Sequence, residues 1–438
     1  MAKRVVIIGG GFSGLAAGVA LSGSGHHVLL LERRGHLGGR AYSFTDSKTG
    51  NEIDNGQHLF MQCYHHTISF LDEIGCLDKL KFQNKPHIEF LDKQGWDAFE
   101  CPAFPSPLHV LAGLFGMRGL TIGDKLRALK VGRALRLHTQ NHFTVEEWLD
   151  RLGQSDNIRR RFWYPMAIAT LNESPKLASS AMMRVVLQEA FSGDRTGSNI
   201  GVARVGLSDL YTEGARSYIE SHGGEVRTGA QVNRLMIEGN RVVSAEIREG
   251  ETVEADYFIS AVTHDALLPM LPADLCEGEF AGLRQLGSSP IVSINLWFDR
   301  PVIDREFVGL LGTRIQWLFN KDAILGSGTG SNHIALIISA AREFVNWTRE
   351  ALVEMALSDL NELLPESRSA RLRHSVIVKE RDATISHTVE SDSLRLGPRT
   401  SLSNLILAGD WTNTGLPATI ESAVLSGHLA AGIVGSAS

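Results

Sequence analysis

The stretch Arg4–Glu32, RVVIIGGGFSGLAAGVALSGSGHHVLLLE, constrains the fold more than any other part of the chain. Arg4–Ile8 is an apolar run of the kind a parallel strand needs when both of its faces are buried. Phe12–Ser24 is dominated by Ala, Gly and Leu and suits a helix lying close on a sheet. Val28–Leu31 is a second apolar run, and Glu32 ends it. Strand, glycine turn, helix and strand make a βαβ unit, so the chain opens on a parallel sheet.

Gly9, Gly11 and Gly14 meet the GxGxxG pattern, with Phe12 and Ser13 inside the turn. Such a turn lets backbone amides approach a diphosphate seated on the positive end of the helix. Glu32 stands where a carboxylate binds a ribose diol. Arg33 and Arg34 would suit the 2′-phosphate of NADP. Two features favour FAD instead: Gly38-Gly39-Arg40 close behind Glu32, and a second glycine–carboxylate turn, Ala408-Gly409-Asp410, near the C-terminus. The ribityl and isoalloxazine parts of FAD need contacts from elements remote from the first βαβ unit.

At 438 residues, more than one lobe is expected. Tyr64, Ile68, Leu71 and Ile74 recur at helical spacing, with Gly75 as a C-cap. Glu225–Thr228, Arg241–Ile247 and Thr252–Val262 read as strands joined by turns at Gly239 and Gly250. Leu405–Ala408 is a last strand, followed by a small-residue helix from about Thr419. Residues 85–220 look mostly helical and 280–395 mixed. The expected architecture is therefore α/β: a nucleotide-binding domain from residues 1–84, 221–275 and 396–438, with an α+β substrate domain from 85–220 and 276–395 inserted into it.

The segment IDNGQHLF at 53–60 raises its own question. Asp54, Asn55 and Gly56 are ordinary turn chemistry, yet Gln57 and His58 follow at once. Gly56, Gln57 and His58 are expected to face a ligand, and Leu59-Phe60 to start the helix behind them.

Composition removes several classes. A net charge of -6 argues against a nucleic-acid partner. Cys63, Cys76, Cys101 and Cys276 form no CxxC pair and suit buried thiols in a reducing compartment. No HExxH occurs among the sixteen histidines, so no metal site is expected. The opening MAKRVVIIGGG leaves no room for a signal peptide, and no apolar run approaches the ~20 residues of a spanning helix. A cytoplasmic placement is expected.

Gly9–Gly14, Glu32, Gly38-Gly39-Arg40 and Leu407-Ala408-Gly409-Asp410 together resemble the flavin amine oxidase and phytoene desaturase superfamily, from end to end. Within it, IDNGQHLFMQCYHHTISFL, FWYPMAIATLNESPKLASSAMMRVVL, RVGLSDLYTEGA and TNTGLPATIESAVLSGHLAA resemble the hydroxysqualene dehydroxylase family. The resemblance implies a GR2-like flavoprotein with a Rossmann-type FAD-binding domain. It implies that Gly11–Gly14 cradle the diphosphate, Glu32 binds the adenosine ribose, and Arg40 neutralises phosphate charge. It further implies that the Val232 backbone meets adenine, Asp410 holds the ribityl or phosphate region, and Thr419-Ile420 aim amides at the flavin pyrimidine.

The implied reaction reduces hydroxysqualene to squalene: an allylic C–OH ionises and the carbon receives a hydride. A general acid is expected, worth ~10²–10⁴ in rate. His58, Tyr64, Asp54 and Glu421 are the candidates, with Asp54 better read as a turn residue and Glu421 as a helix-dipole partner. A carotenoid-like polyene desaturase and a non-catalytic flavin scaffold for neighbouring isoprenoid enzymes are the alternatives. Phe162-Trp163-Tyr164 and Trp297-Phe298 are core aromatics by default, some of them lining a tunnel for a C30 hydrocarbon. Residues 102–136 set apolar side chains among Pro and Gly, then Lys125, Arg127, Lys130, Arg133 and Arg136. Peripheral membrane contact is expected there, on the inner face of the membrane.

Overall fold

A computed structural model describes residues 1–136, 142–191, 196–326 and 330–436. Five parallel strands form its first sheet, in the order Glu225–Thr228, His27–Glu32, Arg4–Ile8, Tyr257–Ser260, Leu405–Leu407. Three distant stretches of chain therefore meet edge to edge. Arg4–Ile8 is central because Val5, Val6, Ile7 and Ile8 are apolar on both faces, and all four are buried. Each such side chain contributes ~1.5–3 kcal/mol by leaving water.

The helices Phe12–Gly23, Leu207–Ser221 and Ile420–Ser436 cover one face. The first and last of these pack at backbone distance: a Cβ on Gly427 would stand 2.3 Å from the Ser13 carbonyl oxygen. A three-stranded antiparallel meander, Val232–Glu238, Arg241–Ile247 and Thr252–Glu254, covers the other face. The single run expected over Thr252–Val262 breaks at Ala255-Asp256. Thr252–Glu254 closes the meander, and Tyr257–Ser260 enters the parallel sheet.

A second sheet has seven strands, in the order Leu372–Ile385, Ser288–Phe298, His333–Ile338, Trp317–Asn320, Phe307–Leu310, His87–Asp92, Gly95–Glu100. Its neighbours are antiparallel except where Phe307–Leu310 meets His87–Asp92. The hairpin 87–100 lies in a region expected to be mostly helical; helices dominate the rest of it, from Leu108 to Ser221. Leu59-Phe60, expected to start a helix, belong to the strand Leu59–Met61, paired with Ile200–Ala203. The helix starts only at His65. Long-range pairing decides this segment, because three residues carry too little periodicity to declare themselves.

Candidate functional site

Between the strand Arg4–Ile8 and its helix, the chain turns on glycines that nothing larger could replace. Gly9 has φ +110°, and a Cβ there would meet the Ala261 carbonyl oxygen at 2.8 Å. A Cβ on Gly14 would stand 1.9 Å from the Gly9 carbonyl oxygen. No side chain caps the helix at Gly11, so its first amides are left for an acceptor from outside the helix. Phe12 contributes only its backbone, since its ring stacks on Tyr211 at 3.6 Å between centroids. Ser13 is buried beneath the last helix.

Glu32 is buried, and its two oxygens accept the Gly10 amide at 2.7 Å and the Arg34 amide at 2.8 Å. Those bonds fix the carboxylate and leave further lone pairs for a diol. Arg33 is exposed, whereas the Arg34 guanidinium donates to the Gly39 carbonyl at 2.8 Å. Gly39 has φ +59° and lies against Gly11, so the 38–40 turn packs directly on the phosphate-binding turn. Arg40 then donates to Asp410 and, at 3.0 Å, to the Ala383 carbonyl. Gly409, at φ +135°, is held by the Ser426 hydroxyl at 2.7 Å.

Val232 starts its strand with its side chain in the core beneath the meander. Thr419 and Ile420 open the last helix, and the Ala418 amide before them donates to His387 Nε2 at 2.7 Å. Accepting there puts the His387 proton on Nδ1, which is buried without a partner. Burial lowers the His387 pKa to about 3, so the ring is neutral.

Asp54 is not a simple turn residue. Its carboxylate accepts the Leu207 amide at 3.0 Å, the Ser43 hydroxyl at 2.7 Å, the Gln57 amide at 2.9 Å and the Lys321 ammonium at 2.7 Å. Both members of the Asp54–Lys321 pair are buried. Burial alone would raise the Asp54 pKa, but Lys321 and these hydrogen bonds hold it below the usual carboxylate range. Lys321 also donates to Gln57 Oε1 at 3.2 Å. Asn55 donates to the Arg40 carbonyl, tying the loop to the 38–40 turn, while its Oδ1 stays buried without a partner.

Gly56 borders open space. A side chain there would meet no protein atom within 4 Å, so packed backbone is not what demands glycine. Glu421 is equally committed. Its oxygens accept the His66 amide at 2.9 Å, the Thr67 amide at 2.8 Å and the Thr67 hydroxyl at 2.7 Å. It caps the helix His65–Glu73 from the far end of the chain. Of the four acid candidates, His58 and Tyr64 are left, and among the described residues neither side chain has a hydrogen-bond partner. Burial lowers the His58 pKa against the opposing pull of Asp54, and burial raises that of Tyr64. At neutral pH both are uncharged donors.

The aromatic clusters divide. Phe162 and Trp163 pack edge to face in an apolar cluster that Leu59 also joins, whereas Tyr164 reaches Glu146 at 3.2 Å. Trp297 stacks on His333 and donates to Asn51 at 2.8 Å. Two residues carry no signal in the sequence: Lys321, and buried Arg395, which clasps the carbonyls of Asp410, Trp411 and Thr412 at 3.2, 3.2 and 2.5 Å. Neither sits in a motif.

These residues fit FAD. Gly9 and Gly14 leave the turn no room for a side chain, and Asn55 Oδ1 in the 53–60 loop and His387 Nδ1, on the ring that holds the Ala418 amide, lie buried without partners. Gly11–Gly14, Glu32, Arg40, Asp410 and the amides at Thr419-Ile420 would hold it. Among the described residues no group of His, Cys, Asp and Glu could hold a metal ion, and no helix is long and apolar enough to cross a membrane.

Residues 12–434 match the flavin containing amine oxidoreductase family. A hydroxysqualene dehydroxylase from Rhodopseudomonas palustris is 29% identical over 99% of both chains. A 15-cis-phytoene desaturase from Capsicum annuum is 26% identical over 98% of this chain and 77% of its own. The crystal structure of an oxidoreductase from Methanosarcina mazei superposes with a TM-score of 0.79 at 19% identity, covering 97% of this chain and 99% of the other. With its family matched over nearly the whole length, this chain belongs to the flavin containing amine oxidoreductases and is an FAD-dependent oxidoreductase.

Proposed function

We propose that this chain reduces hydroxysqualene to squalene, a C30 isoprenoid step of the kind that serves hopanoid synthesis. The observation that carries this reading is the Asn55–Tyr64 segment. It presents two uncharged donors, His58 and Tyr64, while the carboxylates of Asp54 and Glu421 are consumed as acceptors. Leu59, next to His58, belongs to the apolar cluster around Phe99, Phe162 and Trp163, a surrounding suited to a hydrocarbon. The end-to-end likeness to hydroxysqualene dehydroxylases supports the same substrate.

The chemistry requires an allylic C–O bond to break and a C–H bond to form. Bound in its reduced form, the flavin supplies the hydride. The chain's own residues supply the proton and the environment. A donor on the hydroxyl lets it leave as water rather than hydroxide, and His58 and Tyr64 are the candidates for that role. Apolar walls keep bulk water from the allylic cation, and Lys321 holds Asp54 and Gln57 so that the loop presents a fixed surface. Neighbouring enzymes of squalene synthesis would then hand on the substrate.

Incubating the purified chain with hydroxysqualene and chemically reduced FAD tests the reading by product mass. Squalene is the expected product. Retained flavin without squalene would refute it. The second reading, desaturation of a carotenoid-like polyene, draws on the phytoene desaturase likeness; it predicts turnover of phytoene with oxidised FAD and none with hydroxysqualene.

A further inference from the structure

We propose that the outer face of the helices Leu108–Gly116 and Ile122–Leu135 docks on an anionic lipid bilayer. Six of the eleven exposed large apolar side chains among the described residues fall between Phe104 and Leu129. The second helix shows why this is more than scatter. Asp124, Ala128 and Val131 point inward and are buried, at the spacing of one helical face. Ile122, Leu126 and Leu129 repeat the same spacing on the opposite face, 75%, 55% and 42% exposed. Core packing accounts for the first set and cannot account for the second.

Charge selects the partner. Residues 101–136 carry six Lys or Arg and a single acid, Asp124, in a chain whose net charge is -6. Asp124 is turned inward, where Thr121, Ser155 and Asn157 donate to it and hold its pKa down to about 2. What remains outward is apolar side chains flanked by Lys130, Arg133 and Arg136, all positive. An unbroken row of basic side chains with no outward acid beside exposed apolar ones suits an anionic headgroup layer, which accepts both together. The helix needs no lipid to form, since Thr121 and Asp124 make a complete capping box.

The inner faces of both helices belong to the apolar cluster that reaches Leu59. The docking face and the neighbour of His58 thus share one apolar cluster. Docking itself does not depend on the reaction assigned above, and its test involves no turnover.

The flavin-loaded chain is floated with vesicles of phosphatidylcholine alone and of phosphatidylcholine mixed with phosphatidylglycerol. Binding to the mixed vesicles, weakened by salt, is expected. Replacing Ile122→Ser, Leu126→Ser and Leu129→Ser together should weaken it by about a hundredfold with flavin retained. Lys130→Glu with Arg133→Glu should cost about tenfold and erase the preference for phosphatidylglycerol. No flotation with either vesicle overturns the proposal, as does unchanged binding by the triple variant. So does a dimer that the triple substitution dissociates without any vesicle binding, which would assign the face to a second copy.

Discussion

The turn Gly9–Gly14 and the loop Asp54–His58 are built by opposite means. The turn draws mainly on Glu32 and Gly38-Gly39, all within about thirty residues, with Ala261, and Gly427 of the last helix, closing on it from afar. Its shape comes from the absence of side chains. The loop is held by side chains whose partners lie 153 residues away at Leu207 and 267 away at Lys321. The first region fails by collision and the second by stranded charge, so their failures differ in kind.

Gly14→Ala is the harshest test of the first mechanism. Its Cβ would stand 1.9 Å from a backbone oxygen, which cannot yield as a side chain would. The expected product has no flavin absorbance; a yellow protein with an unaltered spectrum would break the contrast. Asp54→Ala tests the second. It strands the buried Lys321 ammonium and should cost about 3–5 kcal/mol, read from urea midpoints. Adding Lys321→Met should recover at least half of that loss, because the remaining charge goes with it. If the two losses simply add, the loop is not held by this pair.

Within the loop, His58→Ala should retain flavin and slow squalene formation by about a hundredfold. Its pH profile divides the two donors. Burial places the His58 pKa below 6.5, so an acid role for imidazolium requires kcat to fall as pH rises through that lower value. A profile flat from pH 5 to 8 assigns the proton to Tyr64, and Tyr64→Phe should then carry the loss.

The smallest effect is a pH dependence of stability. His333 and His387 have pKa values lowered to about 3, mainly by burial, against 6.5 when unfolded. The unfolded chain therefore takes up protons first as pH falls. Stability is full above about pH 6.5 and drains toward pH 3, by about 1–2 kcal/mol per ring at pH 5. A urea midpoint unchanged between pH 7.5 and 5 would show that these rings are open to water.

The same contrast decides what could be read in advance. Gly9–Gly14, Glu32 and Arg4–Ile8 were legible because their partners are near in sequence and their chemistry admits few alternatives. Lys321 was not, since it follows Asn320 at the start of a five-residue helix and nothing local distinguishes it from a surface lysine. By sequence Glu421 suits the dipole of its own helix, whereas it caps another. Leu59–Met61 passed for the start of a helix because its partner strand begins at Ile200. Each misreading concerns a residue whose role is set by a contact at long range.

Glu421, holding the amides of His66 and Thr67, also sets a schedule for biosynthesis. Gly14 leaves the ribosome early, but the helix beside the His58 loop gains its cap only after residue 421 has been made. At ~5–20 residues per second that interval is roughly 20–80 s. Until then the sheet also lacks its edge strand Leu405–Leu407, and the nascent chain has the diphosphate turn without the far half of its flavin site. About four hundred residues separate the turn that commits the chain to its cofactor from the glutamate that completes the enclosure.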